Sequence, residues 1–314
     1  MSGLAARYEA VVCDLDGVVY RGPTAVEHAV GSLAGLDRPV VYATNNASRE
    51  PAAVADHLAE LGLTTTAADV VTSSEAAAWL LAEAGTPAGS CVLAVGGPGV
   101  ATALQTSGFR AVRRGSETDA EVAAVVQGYG PQVTAADLAE AAYAIEAGAR
   151  WVATNTDATL PTDRGVAPGN GSLVAAVARA VGHDPHEVAG KPHPPLYLLA
   201  ARRLEVDAHR VLAVGDRLDT DIEGAVRAGT DSLLVLTGVD GLEALLAAPP
   251  ARRPTFVAPD LRWLGTDPAV GEPSLEELVE AVGRAHAAQD GGDEDGRSEA
   301  AEQARRLLAR MTDR

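Results

Sequence analysis

VVCDLDGVVYRG, Val11 to Gly22, ends an apolar run in two aspartates that flank a single leucine, with a glycine directly after. Residues two apart in an extended strand face the same side, so Asp14 and Asp16 address one place. Two like charges there are costly unless a cation binds between them. Gly17 permits a sharp exit from the strand. Open parallel α/β sheets bind ligands at the carboxyl ends of their strands, which is where this pair falls. One carboxylate can attack phosphorus while the second handles protons. An acidic turn after a strand is the plainer alternative.

Working outward, β-rich runs recur at Ala10–Cys13, Pro39–Thr44, Cys91–Val95, Val122–Gln127, Trp151–Thr154, Val211–Val214 and Ser232–Leu236. Alanine-rich amphipathic stretches separate them: Ala25–Leu36, Pro51–Leu61, Ser74–Ala84, Ala135–Ala147, Gly171–Val181, Pro194–Leu204 and Thr220–Ala228. Such alternation predicts an α/β fold with parallel sheets. The capping pattern of Thr134-Ala-Ala-Asp and the proline after Ser48-Arg-Glu mark helix starts. The segment from Glu83 to Gly182 has its own strand–helix alternation and is expected to be an inserted domain. Gly283–Gly296 is rich in Gly, Asp and Ala and reads as linker or disorder; Ser298–Arg310 is compatible with a short charged helix, but a solvated tail is the favoured reading.

Further polar stretches close other apolar runs. ATNNASR, Ala43 to Arg49, places a hydroxyl and two amides at a strand end. Such residues commonly make turns and caps; Thr44 and the Asn45–Asn46 backbone can also donate to phosphate oxygens. GKPHPP, Gly190 to Pro195, holds Lys191, the only lysine of the chain, between glycine and proline. A lysine is a usable point charge for phosphate. VGDRLDTDI, Val214 to Ile222, supplies Asp216, Asp219 and Asp221. Mg²⁺ prefers oxygen ligands, and Asp216 can complete a site with Asp14. Asp221 suits an outer shell that orients the ligands, and Asp219 a helix cap.

DLDGVVYRG, TNNASR, GKPHPP and GDRLDTDIEGA, in this order, resemble the four motifs of haloacid-dehalogenase-superfamily phosphatases. TNTDATLP and PGNGSLVAAV are similar to the α/β cap of the subgroup containing 4-nitrophenyl phosphatase, phosphoglycolate phosphatase and NagD-like enzymes. GVAPGNGSLVAAV and LTGVDG also resemble the glycerol-3-phosphate phosphatases of that subgroup. The resemblance covers about Tyr8 to Asp260, and ordered motifs are far more specific than any one alone. It implies a Rossmann-like core, residues 1–82 with 183–265, carrying an inserted cap of the C2a type at 83–182; the change of composition beyond it reads as a partly disordered tail at 266–314. It implies Asp14 as nucleophile, forming an aspartyl-phosphate, and Asp16 as acid and then base. Mg²⁺ would be held by Asp14, the Asp16 carbonyl and Asp216, and the phosphate by Thr44, Asn45, Asn46 and Lys191. The carboxylates then tolerate each other because Mg²⁺ and Lys191 offset their charge. The implied substrate is a small phosphorylated metabolite, glycerol 3-phosphate first, with 2-phosphoglycolate or another sugar or aryl phosphate as the alternative. A homodimer through the cap is compatible with the subgroup.

Bulk properties bound the rest. A chain of 314 residues with 47% hydrophobic and 22% charged residues reads as globular, with room for about two domains. The net charge of -18 opposes nucleic-acid and anionic membrane partners. Cys13 and Cys91 lie in separate apolar runs and read as buried hydrophobes in a reducing cytoplasm. No signal peptide or spanning segment is read. VGGPGVATAL lacks the spacing of a dinucleotide loop and reads as strand, turn and helix. His183 and His186 lack a third metal ligand nearby. The loop from Thr154 to Gly165 is expected to choose the substrate, with Asn155 and Asp157 fixing its turn. Asp16 disfavours a dehalogenase, which needs no acid for its leaving group; a catalytically silent phosphometabolite-binding protein is the remaining alternative.

Overall fold

The computed structural model describes residues 3–116, 120–162 and 164–312. The chain forms two compact units: Met1–Tyr42 with Leu58–Thr64 and Ala200–Arg314, and Ala43–His57 with Thr65–Leu199.

The first unit carries parallel strands in the order Phe256–Ala258, Asp231–Val235, Val211–Gly215, Ala10–Cys13 and Val40–Thr44. The last of these runs on across the unit boundary. Ala10 to Cys13 pair in register with Val211 to Val214, so Asp14 and Asp216 leave adjacent strands at the same end. Every residue of Ala10–Cys13 is buried, as its unbroken apolar run requires of a central parallel strand. Each fully buried valine there contributes about 1.5–3 kcal/mol.

The second unit has its own parallel sheet, ordered Glu187–Val188, Arg150–Ala153, Val122–Gln127, Cys91–Val95 and Arg110–Val112. Ala135–Glu146 and Asn170–Val181 pack on it around Trp151, whose Nε1 donates to Gln127 Oε1 at 3.2 Å. The helix Ala135–Glu146 starts at a capping box between Thr134 and Asp137. Thr159–Thr162 and Gly165–Pro168 form an antiparallel hairpin. Asp163, inside the loop expected to choose the substrate, lies outside the described residues.

The reading of Gly283–Gly296 as linker differs from the structure. Leu275–Gly291 and Glu294–Thr312 are helices. Ser274 and Glu277 form a capping box at the first, and Leu278, Ala281, Val282 and Ala285 are buried along it. The second buries Ala300, Ala304, Leu307 and Met311. Arg253 pairs with Asp290 through two hydrogen bonds of 2.6 and 2.7 Å, and Arg305 with Glu243 at 2.8 and 2.9 Å. A polar composition hid a stripe of alanines at helical spacing, which suffices to pack one helix closely on another. No helix among the described residues is long and apolar enough to cross a membrane.

Candidate active site

In the first unit, Asp14 follows its strand directly, with its N–H donating to Val214 O at 2.8 Å. Asp16 stands in the turn beyond, where Gly17 takes φ +84° and its N–H donates to Tyr20 O at 2.8 Å. Asp16 is exposed, Asp14 half-buried, and Asp216 and Asp221 buried. The carboxylates of Asp14, Asp216 and Asp221 gather with one oxygen from each within 4.8 Å of the others. The pair faced by adjacent strand ends is therefore Asp14 with Asp216. Asp221 joins them, and the carboxylate of Asp16 is not in the group.

Backbone geometry fixes this cluster. Val239 N–H donates to Asp216 Oδ2 at 2.7 Å, and Asp240 N–H to Asp216 O at 3.1 Å. A Cβ on Gly17 would stand 2.7 Å from Asp216 Cγ, and one on Gly238 well under 3.0 Å from the same carboxyl. Thr237 Oγ1 donates to Gly17 O at 2.8 Å, tying the two glycine turns together. Asp221 sits against Gly215, where a Cβ would also clash, and its Oδ2 accepts from Arg217 N–H at 3.1 Å. Asp240 accepts from Leu218 N–H at 2.7 Å. Asp219 instead pairs with the Arg217 side chain at 3.0 and 3.1 Å, so its role is an ion pair rather than a helix cap. Buried carboxylates packed together are tolerable when a hard divalent cation shares their oxygens. The donor set is all oxygen, as Mg²⁺ requires, and the close glycines hold it in place: the residues fit the ion.

The second unit contains the other singled-out residues. Thr44 Oγ1 accepts from Asn46 N–H at 3.1 Å, and Asn46 Oδ1 accepts from Ser48 N–H and Oγ at 2.9 and 2.8 Å. Thr44 is buried and Asn46 exposed; the Asn46 side chain shapes the turn. Asn45 does more. Its Oδ1 accepts from Lys191 N–H at 2.8 Å, and its Nδ2 donates to Lys191 O at 3.0 Å. Lys191 is 3% exposed, and its Nζ donates to Ala43 O at 3.3 Å. Asn45 Nδ2 also reaches Asp157 Oδ2 at 3.2 Å, and Asn155 Nδ2 donates to Asn45 O at 2.7 Å. Asn155 Oδ1 accepts from Asp157 N–H at 3.2 Å, so the turn read for this pair is present. Their attachment to Asn45 was not legible. The Gly238–Asp240 turn was equally silent, although LTGVDG marked its place.

Gly97 and Gly99 explain VGGPGVATAL. A Cβ at either would collide with backbone of Ala47–Arg49, so the glycines serve close approach. His186 Nδ1 accepts from Trp151 N–H at 3.1 Å, a structural role.

The fold and the carboxylate group define an α/β enzyme whose clustered acids could hold a cation at its strand ends. The family model for haloacid dehalogenase-like hydrolases matches residues 11–110, and a HAD-hydrolase-like model matches residues 188–264. D-glycerol 3-phosphate phosphatase of Mycobacterium tuberculosis is 49% identical over 267 residues, covering 85% of this chain and 74% of that protein. The crystal structure of the glycerol phosphate phosphatase of M. tuberculosis in complex with magnesium superposes with a TM-score of 0.80 at 49% identity, over 85% of this chain and 80% of that one. The 4-nitrophenylphosphatase of Thermotoga maritima gives 0.74 at 28% identity, over 83% and 98%. This chain belongs to the haloacid dehalogenase-like hydrolases.

Proposed function

We propose that this protein is a Mg²⁺-dependent phosphatase of small phosphorylated metabolites, with glycerol 3-phosphate as its substrate. The observation that carries the reading is the largely buried carboxylate group, seated on glycines where an added Cβ would press on the carboxyls. The substrate is supported by the relative from M. tuberculosis, whose name states that activity.

Asp14, Asp216 and the Asp16 carbonyl would hold the ion, and Asp221, held by Arg217 N–H, would orient the set. Bound there, Mg²⁺ neutralises charge on the phosphoryl oxygens and on Asp14. A carboxylate oxygen of Asp14 attacks phosphorus, and the bond from phosphorus to the leaving alcohol oxygen breaks. Asp16, protonated, gives that oxygen its proton. Its exposure suits a group that exchanges protons with water. The Asp16 carboxylate then takes a proton from water, whose oxygen attacks phosphorus and releases Asp14 and inorganic phosphate. Thr44, the Asn45–Asn46 backbone and Lys191 bind phosphoryl oxygens, with Lys191 supplying the charge.

Residues 83–182 act in this reading as the inserted cap that governs substrate choice, with 1–82 and 183–265 as the core. A homodimer through that cap belongs to the same reading. The buried, thiol-form Cys13 and Cys91 support a cytoplasmic location. The test is phosphate release from glycerol 3-phosphate, 2-phosphoglycolate, hexose phosphates and nucleotides, with and without Mg²⁺. Preference for glycerol 3-phosphate only with Mg²⁺ is expected. Preference for another ester reassigns the substrate, and no release at all makes the protein a silent binder.

A further inference from the structure

Lys191 is buried on a short loop, and its backbone is seated by a side chain 146 residues away. Asn45 closes on the Lys191 residue from both ends, accepting from its N–H at 2.8 Å and donating to its C=O at 3.0 Å. Gly190 leaves no slack: a Cβ there would lie 2.6 Å from both Asn45 Oδ1 and Thr154 O. The direction in which the lysine stem leaves the backbone thus depends on where Asn45 stands.

Asn45 is itself held from the Thr154–Ala158 loop. Its carbonyl accepts from Asn155 Nδ2 and from Ser73 Oγ, each at 2.7 Å. Its Nδ2, already engaged with Lys191 O, has Asp157 Oδ2 at 3.2 Å. Asn155 spends its other end on Asp157 N–H, so the two loop residues move as one. The loop is anchored in turn by Asn170, whose Nδ2 donates to Asn155 O at 2.8 Å and to Gln127 O at 3.2 Å. Gly171 N–H donates to Asp157 O at 2.8 Å. Asn155 is 5% and Asn170 1% exposed. These bonds are made by buried amides, and breaking one leaves a further polar group unpaired away from water, which favours the geometry seen.

We infer that Asn155 and Asp157 are positioning residues that set the seat of Lys191 through Asn45. Phosphate engagement is thereby coupled to the conformation of the loop expected to choose the substrate. An ordinary turn would need only the Asn155–Asp157 bond; the contacts to Asn45 are what exceed it. The kinetic part of this inference rests on the phosphatase reading above; the seating of the lysine does not.

The test uses Asn155→Leu, Asp157→Ala and the conservative Asp157→Asn, whose amide oxygen still accepts from Asn45. Because Lys191 is the only lysine, its rate of modification by an amine-reactive reagent, read by peptide mass spectrometry, reports its seating without any turnover. Outer-shell losses commonly cost about 10–100-fold. Asn155→Leu and Asp157→Ala are expected to raise the Lys191 labelling rate by about tenfold and to raise KM for a phosphate monoester by about as much. The Mg²⁺ dependence should stay as in the wild type, and Asp157→Asn should recover most of both losses. If the wild type turns over no phosphate ester while the labelling change still appears, the phosphatase reading fails and the seating stands. Wild-type labelling in both Asn155→Leu and Asp157→Ala overturns the inference, as does labelling that merely follows a fall in Tm and is equally poor in Asp157→Asn.

Discussion

Gly238→Ala should uncouple metal binding from folding. Gly238 has no unusual φ, so alanine brings no backbone strain of its own. Its methyl would fall far inside contact distance of the Asp216 carboxyl, well under 3.0 Å from Cβ, Cγ and Oδ2. The obstacle is a short, buried side chain with no flexible end to swing aside. Asp216 must shift, and the 2.7 Å bond from Val239 N–H to its Oδ2 breaks or lengthens. A hydrogen bond to a charged group is worth about 1.5–3 kcal/mol, and about 1.4 kcal/mol is a factor of ten. Mg²⁺ affinity should therefore fall by about ten- to a hundredfold. The assay is the Mg²⁺ concentration giving half-maximal phosphate release, with calorimetric Mg²⁺ titration beside it. The rise of Tm on adding Mg²⁺, which follows from binding to the folded state alone, should shrink in parallel. Gly241→Ala, where an added Cβ meets nothing within 4 Å, is the control and should behave as wild type. A folded Gly238→Ala protein with unchanged Mg²⁺ affinity would refute the placement of Asp216 as a metal ligand.

Asp14→Asn should leave the fold intact and lower kcat by at least about a thousandfold, since an amide is neither a nucleophile nor an anionic ligand; near-native turnover in a folded variant would remove the covalent step. Asp16→Asn should keep Mg²⁺ binding and lose about 10²–10⁴-fold on an alkyl phosphate, but less on 4-nitrophenyl phosphate, whose leaving group needs little protonation. Equal losses on both esters would take Asp16 out of that role. His286 should make stability pH-dependent: burial pushes its imidazole below the ordinary value, and its Nε2 bonds Leu245 O at 2.7 Å. With the folded pKa depressed, its contribution is complete above the unfolded value of about 6.5 and is lost as pH falls through the folded one. The drop in Tm between about pH 8 and about pH 5.5 should be smaller in His286→Gln, and an identical drop in both proteins would exclude this histidine as its source.

Local chemistry by itself determined the α/β class and most elements of this chain. Cys91–Val95 and Val122–Gln127 are strands over their expected spans, and Pro51–Glu60, Ser73–Glu83 and Ala135–Glu146 are helices to within a residue. Apolar runs, capping residues and prolines act over a few neighbours, so their signal survives in one dimension. Strands as short as Arg110–Val112 and Phe256–Ala258 escaped, because three residues hold no period and their pairing partner decides them. The first carboxylates were legible for the same local reason: a strand ending in Asp14-Leu-Asp16-Gly17 advertises its own turn. Only tertiary structure could bring Asp221 beside Asp14, press Gly238 against Asp216, or set Asn155 on Asn45 across 110 residues of chain. An aspartate and an asparagine carry the same donors and acceptors wherever they stand. Which of them are taken out of water, and by which distant backbone, is settled when the sheets pack and each buried polar group must find a partner.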